Sequence, residues 1–457
     1  MSDLALIGAG RSLTYEELMA EAEKVSAPLH GRSLVFLRAR NAIEAVVGYV
    51  AFLSHGHVPV MLNDHLPNET FADLMGRYRP EYVWGPDDGF VEGRRTLEYG
   101  SYVLHRVGGD AGSESDLHPE LALLLSTSGS TGSPKLVRLS RGNLASNTDS
   151  IIEYLGITSE DRAITTLPFS YSYGISIVNT HLKAKARIIL TDKTFMDRDF
   201  WSLLRDEGAT TFGGVPYSYA MLSRLRFGRM DVPSLRYLTQ AGGRLGEDLH
   251  REFAELCAGK GMGFVVMYGQ TEATARMAYL PARRSLEKVG MIGVAIPGGE
   301  LSLEGEDGSV LNGAGVEGEL VYRGANVSWG YALDRADLAK GDERGGVLRT
   351  GDLATRDEEG FYRIVGRKKR FLKLFGNRIG LDEVEALLAR KGVSAACVGS
   401  DDAMKIYIES GEAPAVRDMI ADALGIHPSA FRVEAMDALP RTEAGKIKYA
   451  SLWDCHV

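Results

Sequence analysis

Residues 126–137 read STSGSTGSPKLV and follow directly on the apolar run LALLL at residues 121–125. Hydroxyl side chains, two glycines and a lysine in one loop offer unhindered backbone N–H groups, side-chain donors and a cation. A polyphosphate needs that combination. The loop is not a Walker A motif, because Pro134 stands where that motif has its second glycine. Nor is it a nucleophile elbow, since Ser128 occupies the first glycine position of GxSxG.

Other polar groups recur where apolar runs end. FVVMY at residues 264–268 leads into GQTEAT, QAGGRLG spans 240–246, and RTGDLA spans 349–354. In open α/β sheets ligands gather at the carboxyl ends of strands, so these turns are the places to look for a site. Taken alone, the glycine pair Gly242 and Gly243 is an ordinary turn, as is the Gly-Asp pair at Asp352, and Lys446 near the carboxyl end is a solvent-exposed lysine. Residues 361–373 hold six basic side chains and no acid, which suits a solvated face or a nucleic-acid patch. There is no HExxH and no Cys/His grid, which argues against metal hydrolysis. GAGRSL at Gly8 precedes no nucleotide-binding βαβ unit.

TSGSTGSPK at 127–135 resembles the phosphate loop of the adenylate-forming (AMP-binding) superfamily: acyl- and aryl-CoA synthetases, peptide-synthetase adenylation domains and luciferase-like enzymes. LTYEEL, HGHVPVML, YGQTEAT, RTGDLA, GRKKRFLKLFGNRIGLDEVE and LPRTEAGKIKY resemble further segments of that family and follow in its order. The resemblance implies ATP and Mg²⁺. Thr127, Ser128, Gly129, Ser130, Thr131, Gly132 and Lys135 would hold phosphates, and Gly242, Gly243 and Arg244 would line adenine. Tyr268 would stack on the base, with Gly269 and Gln270 in the same turn; Thr271 would contact the α-phosphate and Glu272 would coordinate Mg²⁺. An oxygen ligand on a hard cation that also touches phosphate is the expected arrangement. Asp352 would take the ribose hydroxyls by charge-assisted hydrogen bonds, with Arg367 beside it. Lys369 matches the hinge, and Lys446 the lysine that reaches the site during adenylation. There a cation stabilises the charge that develops as a carboxylate meets the α-phosphate.

The acid is less legible. LPFSYSYGISI at 167–177 falls where the family has part of its acyl pocket. Ser170 stands where amino-acid-activating domains have Asp, so an ammonium group would lack its partner and a standard α-amino acid is disfavoured. Tyr171 lies near a family histidine, and Tyr217, with Tyr219, forms a second wall or belongs to the core. Leu136 replaces the glycine usual after Lys135. The expected reaction joins a carboxylic acid to a thiol, free coenzyme A or a carrier-protein phosphopantetheine, through an acyl-adenylate. An adenylation enzyme loading an acyl carrier protein, an amide-forming ligase and a non-catalytic adenylate-binding protein are the alternatives.

The elements that must position these residues follow an α/β pattern. Residues 13–29 have helical apolar spacing with Thr14 as cap, and 40–53 form a buried helix followed by a strand in HGHVPVML. Further buried strands are expected at 187–190 and 264–268, and short β segments from Gly298 onward. After Gly366 a helix begins near Asp382, where Asp382 and Glu385 have capping-box spacing, and strands and a helix follow. The expected fold is a large N-terminal domain, 1–367, of two α/β sheets plus a small β-rich subdomain, and a small mobile α+β domain, 368–457. The 457 residues allow two or three domains, and glycine, at 53 copies, is about 12% against a usual ~7%. Fifty-two basic and 61 acidic side chains give a net charge of −9, so no sequence-independent grip on nucleic acid is expected. Cys257, Cys397 and Cys455 show no CxxC spacing, and neither a signal peptide nor an 18-residue apolar run is visible. Together these point to the cytoplasm.

Overall fold

In a computed structural model, the described residues are 3–108, 116–126, 135–368, 370–374, 377–400, 403–424, 427–442 and 445–453. Local rules account for the first helix. The Thr14 hydroxyl accepts from the Glu17 amide at 3.1 Å, and the Glu17 carboxylate accepts from the Thr14 amide at 2.8 Å. This capping box starts Tyr15–Ser26, which buries Leu18, Ala22 and Val25 along one face. Ile43–Ser54 is almost wholly buried, three residues shorter at its start than the sequence pattern suggests.

Two large mixed sheets carry the fold. Among the described residues, the first has eight strands: Tyr331–Ala332, Leu136–Ser140, Leu121–Ser126, Val58–Asn63, Leu34–Ala39, Tyr82–Pro86, Tyr102–Arg106 and Arg94–Tyr99, in that spatial order. The second has nine, with Gly263–Tyr268, Tyr237–Gln240 and Thr211–Gly214 parallel neighbours in its central part. Helices Ile43–Ser54 and Ser172–Lys183 share one apolar cluster with Leu37, Met61 and Trp84 of the first sheet and Leu6 and Ile188 of the second. The two sheets are therefore joined through buried helices. A five-stranded antiparallel sheet follows, ending in the hairpin Val347–Arg356 and Tyr362–Arg367. The α/β reading with a β-rich third sheet holds.

Residues beyond 370 have apolar clusters of their own, built from Leu372 to Leu452. They comprise the hairpin Phe371–Leu374 and Asn377–Gly380, helices Leu381–Arg390 and Ala413–Leu424, and the three-stranded sheet Ala395–Ser400, Ala403–Ile408, Phe431–Ala435. The capping-box expectation fails here. Gly380 is the N-cap and makes no side-chain cap, while Asp382 and Glu385 both ion-pair with Arg370. That guanidinium also donates to the Cys397 carbonyl at 2.8 Å and lies 3.9 Å from the Tyr449 ring. A forked cation satisfies both carboxylates at once, which a single backbone amide cannot.

Arg370 thus joins the hairpin, the following helix, the sheet edge and the final helix. Replacing it with alanine leaves two adjacent, partly buried carboxylates without a counter-ion and is expected to cost roughly 3 kcal/mol. Denaturant unfolding should show that loss, with faster amide exchange in the hairpin, in Leu381–Arg390, in Ala395–Ser400 and in Tyr449–Trp453; unchanged exchange there would contradict the assignment.

Candidate active site

Tyr268 ends the central strand Gly263–Tyr268, and Gly269 passes close against the backbone of Ala275. The Tyr268 hydroxyl donates a short hydrogen bond to Asp352. Gln270 Nε2 donates to the same carboxylate and to the Thr350 carbonyl, each at 3.1 Å. Arg367, which stands opposite Asp352 in the hairpin register, places Nε 3.1 Å from its other oxygen. Asp352 is 4% exposed. Burial raises its pKa above the ordinary carboxylate value, opposed by the Arg367 charge and the bonds from Tyr268 and Gln270. The result is a fixed acceptor beside an aromatic ring, with an exposed guanidinium at the rim, a geometry suited to a sugar diol and a base. Arg244 lies at the surface, whereas Gly242, with φ +84°, lies against the Tyr171 hydroxyl.

A second group forms around Tyr331, which the sequence motifs do not mark. The short edge strand Tyr331–Ala332 pairs with Leu136–Ser140 at Tyr331↔Val137. That register sets its ring beside Lys135, whose Nζ is 3.7 Å from the ring centroid. On its far side the phenol donates to Glu272 Oε1 at 2.7 Å. Burial, and next the Glu272 charge, push the Tyr331 phenol up to about 12. Tyr331 therefore holds a cation on its face and a carboxylate at its tip. Thr271 donates to the Ser172 hydroxyl at 3.3 Å, bringing in the first turn of Ser172–Lys183, which lies in the segment 167–177 read from the sequence as part of the acyl pocket. Helix Arg141–Leu155 supports the edge strand: Asn143 completes a capping box with Ser140 and donates to the Ala325 and Val327 carbonyls. Thr127, Ser128, Gly129, Ser130, Thr131 and Gly132 lie outside the described residues, as does Lys369. The strands flanking that loop pair at Ser126↔Leu136. Among the described residues no cluster of three His, Cys, Asp or Glu side chains could hold a metal by itself. Glu272 alone would need substrate oxygens and water to complete a Mg²⁺ shell.

The third group comes from the far end of the chain. Arg441 and Ile447 form a bridge, the Thr442 amide donates to the Lys446 carbonyl and the Lys446 amide to the Thr442 hydroxyl, and the turn presents Lys446. Its Nζ lies 5.3 Å from the Tyr171 ring centroid. Gly445 makes this approach possible: at φ +72°, a Cβ there would stand 3.0 Å from Tyr217 Cβ and 3.2 Å from Val215 Cγ2. Tyr217 is thus a contact for this hairpin and is 47% exposed. Tyr219 is core, its hydroxyl donating to the Thr239 carbonyl at 2.7 Å. Tyr171, Tyr268, Gln270, Thr271, Glu272, Asp352, Arg367, Lys135 and Lys446 are all held by these contacts.

Two substitutions separate these groups. Tyr331→Phe removes a hydrogen bond to a carboxylate, about 1.5 kcal/mol, and is expected to raise the KM for Mg·ATP roughly tenfold in a pyrophosphate-release assay. Gly445→Val obstructs hairpin docking and is expected to slow pyrophosphate release on the order of 10²-fold with the folded state intact by circular dichroism. An unaltered rate in either would contradict its assigned role.

The comparisons bear on this geometry. Residues 1–332 match the family described as AMP-binding enzyme. The chain is 30% identical to the indoleacetate–CoA ligase of Aromatoleum aromaticum across 96% of this chain and 92% of that protein. It is 30% identical to a feruloyl-CoA synthase of an Amycolatopsis species across 76% and 73%. In fold it is similar to the o-succinylbenzoate CoA synthetase of Bacillus subtilis in complex with the acyl-adenylate intermediate, with a TM-score of 0.79, 22% identity, and coverage of 100% of this chain and 96% of that one. On the strength of the family match and the near full-length similarity, the chain belongs to the AMP-binding enzyme family.

Proposed function

We propose that this protein is an ATP-dependent acid–thiol ligase that makes an acyl-adenylate and passes the acyl group to coenzyme A. The observation that carries the reading is the placement of Lys446, delivered by the carboxyl-terminal hairpin onto Tyr171. Tyr171 is also the residue against which Gly242 of the base-lining turn packs. Lys446 thereby stands at the junction of the nucleotide and acyl walls.

In the first half-reaction a carboxylate oxygen attacks the α-phosphorus of ATP, the α–β bridging P–O bond breaks, and pyrophosphate leaves. Two anions must approach, and the developing charge is met by Lys446 on one side and Lys135 on the other, with Thr271 donating to an α-phosphate oxygen. Asp352 and Arg367 hold the ribose, Tyr268 the base, and residues 127–132 the departing phosphates. Glu272 would hold Mg²⁺, which compensates phosphate charge when bound. In the second half-reaction the thiolate attacks the acyl carbon, the C–O bond to AMP breaks, and AMP leaves. Lys446 sits on the segment 368–457, which we read as a unit that rotates about Lys369, so it can be withdrawn before the thiol enters. Coenzyme A is favoured as acceptor because the similar proteins include coenzyme A ligases for indoleacetate and a coenzyme A synthase for ferulate. A carrier protein or an amine would be read from the product. The lack of Cys pairing in the sequence suits a reducing, cytoplasmic setting, and among the described residues no helix is long and apolar enough to cross a membrane.

A screen of short, branched, aromatic and dicarboxylic acids, with coenzyme A present, tests the proposal. Pyrophosphate, AMP and an acyl-CoA of the expected mass should appear in equal amounts with the preferred acid. Release of ADP and phosphate, or of pyrophosphate with no acid in the panel, would overturn it.

A further inference from the structure

The acid's identity turns on a buried cation. Arg276 is 2% exposed. Its Nη1 donates to the Tyr154 hydroxyl at 3.3 Å and Met267 Sδ at 2.6 Å, its Nη2 to the Ser176 hydroxyl at 2.9 Å, and its Cζ lies 4.2 Å from the Tyr173 ring centroid. All four partners are neutral. Nε is buried and unpartnered. Among the described residues no carboxylate pairs with the guanidinium, and of its five N–H donors three are engaged.

An isolated charge taken out of water costs several kcal/mol, and an anion that reached the guanidinium would offset that cost. What Arg276 faces is a small cavity of about 10 Å³, which it lines together with Ile177, His181, Gly213 and Thr239. As it stands this is room for about one water molecule, so a carboxylate enters it only as the lining side chains move. His181 lines the same cavity. Its Nδ1 lies 2.8 Å from the Ile177 carbonyl, which makes Nδ1 the protonated nitrogen, and burial lowers its pKa, so Nε2 is a buried acceptor without a partner. The Tyr173 ring that carries Arg276 is 6.4 Å from the Tyr171 ring, and Lys446 lies against Tyr171.

We propose that the acid activated here bears a second, small anionic group of the carboxylate class, and that Arg276 is its counter-ion. One carboxylate reacts beside Lys446 while the other reaches past Tyr173 to the unfilled guanidinium donor. The inference rests on the acid-activation reading and narrows it to dicarboxylic acids.

The test uses acids in matched pairs, straight-chain and aryl, each diacid set against its half methyl ester, with the wild type, Arg276→Met and Arg276→Lys. In the wild type kcat/KM for pyrophosphate release should favour the best diacid over its half ester by roughly 10²-fold, since a site built for a charged group rejects the analogue lacking it. Arg276→Met should bring that ratio near one without a lower Tm, and Arg276→Lys should retain part of it. A wild-type preference for the half ester, an unchanged ratio in Arg276→Met, or a lower Tm with the ratio preserved would overturn the proposal. Should no acid release pyrophosphate, the functional reading fails separately. Calorimetric binding of the same acid pairs in the presence of a non-hydrolysable ATP analogue then decides for Arg276: tighter diacid binding lost in Arg276→Met supports its role, and equal binding contradicts it.

Discussion

Asp352 is a carboxylate taken almost wholly out of water, and its need for donors ties together parts of the chain that are far apart in sequence. Tyr268 and Gln270 reach it from the end of the nine-stranded sheet, Arg367 from the facing strand of the five-stranded sheet. A buried charge with its partners removed is costly, so these groups cannot drift independently. The turn after Tyr268, the β-rich sheet and its last strand, Tyr362–Arg367, are thereby tied together at Asp352. In the proposed reaction the ribose is held at the point where motion of the small unit would begin.

The cations are arranged on a different logic. Lys135 is fixed at a strand end on the face of Tyr331, whose phenol in turn holds Glu272, so one aromatic ring spaces a cation and a carboxylate at the proposed phosphate end. Lys446 is not fixed by the large sheets. It arrives on a hairpin whose closest backbone approach is at Gly445, against Val215 and Tyr217. A charge delivered on a separate element can be present for one transition state and absent for the next. A lysine built into the sheet would serve both and suit neither. In the proposed reading Arg276 adds a buried cation to this set, held on the Tyr173 ring.

Strands such as LALLL and FVVMY were legible because buried apolar runs announce themselves in sequence, and Thr14 stood as a cap at the head of a helical apolar spacing. The β-rich segment after Gly298 was legible from short β runs separated by glycine-bearing turns. What was not legible depended on pairing between distant residues. Tyr331 matters because of its register with Val137, and nothing in WGYALD says so. Arg276 looks like a surface arginine until the fold buries it. Asp382 and Glu385 have the spacing of a cap, yet a distant-face cation, Arg370, takes both. Tyr217 and Tyr219 sit two apart on one helix, and only the packing of Phe253 and Phe264 around Tyr219 separates an exposed ring from a core one.

The central claim is that Lys446 serves adenylation and not thioester formation. It is tested most directly by comparing wild type and Lys446→Ala in two assays: pyrophosphate exchange into ATP with the preferred acid, and acyl-CoA formation from chemically prepared acyl-adenylate. The account predicts that the variant loses exchange by on the order of 10²-fold or more while its thioester rate stays near wild type. Equal exchange in both proteins, or equal loss in both half-reactions, would contradict it.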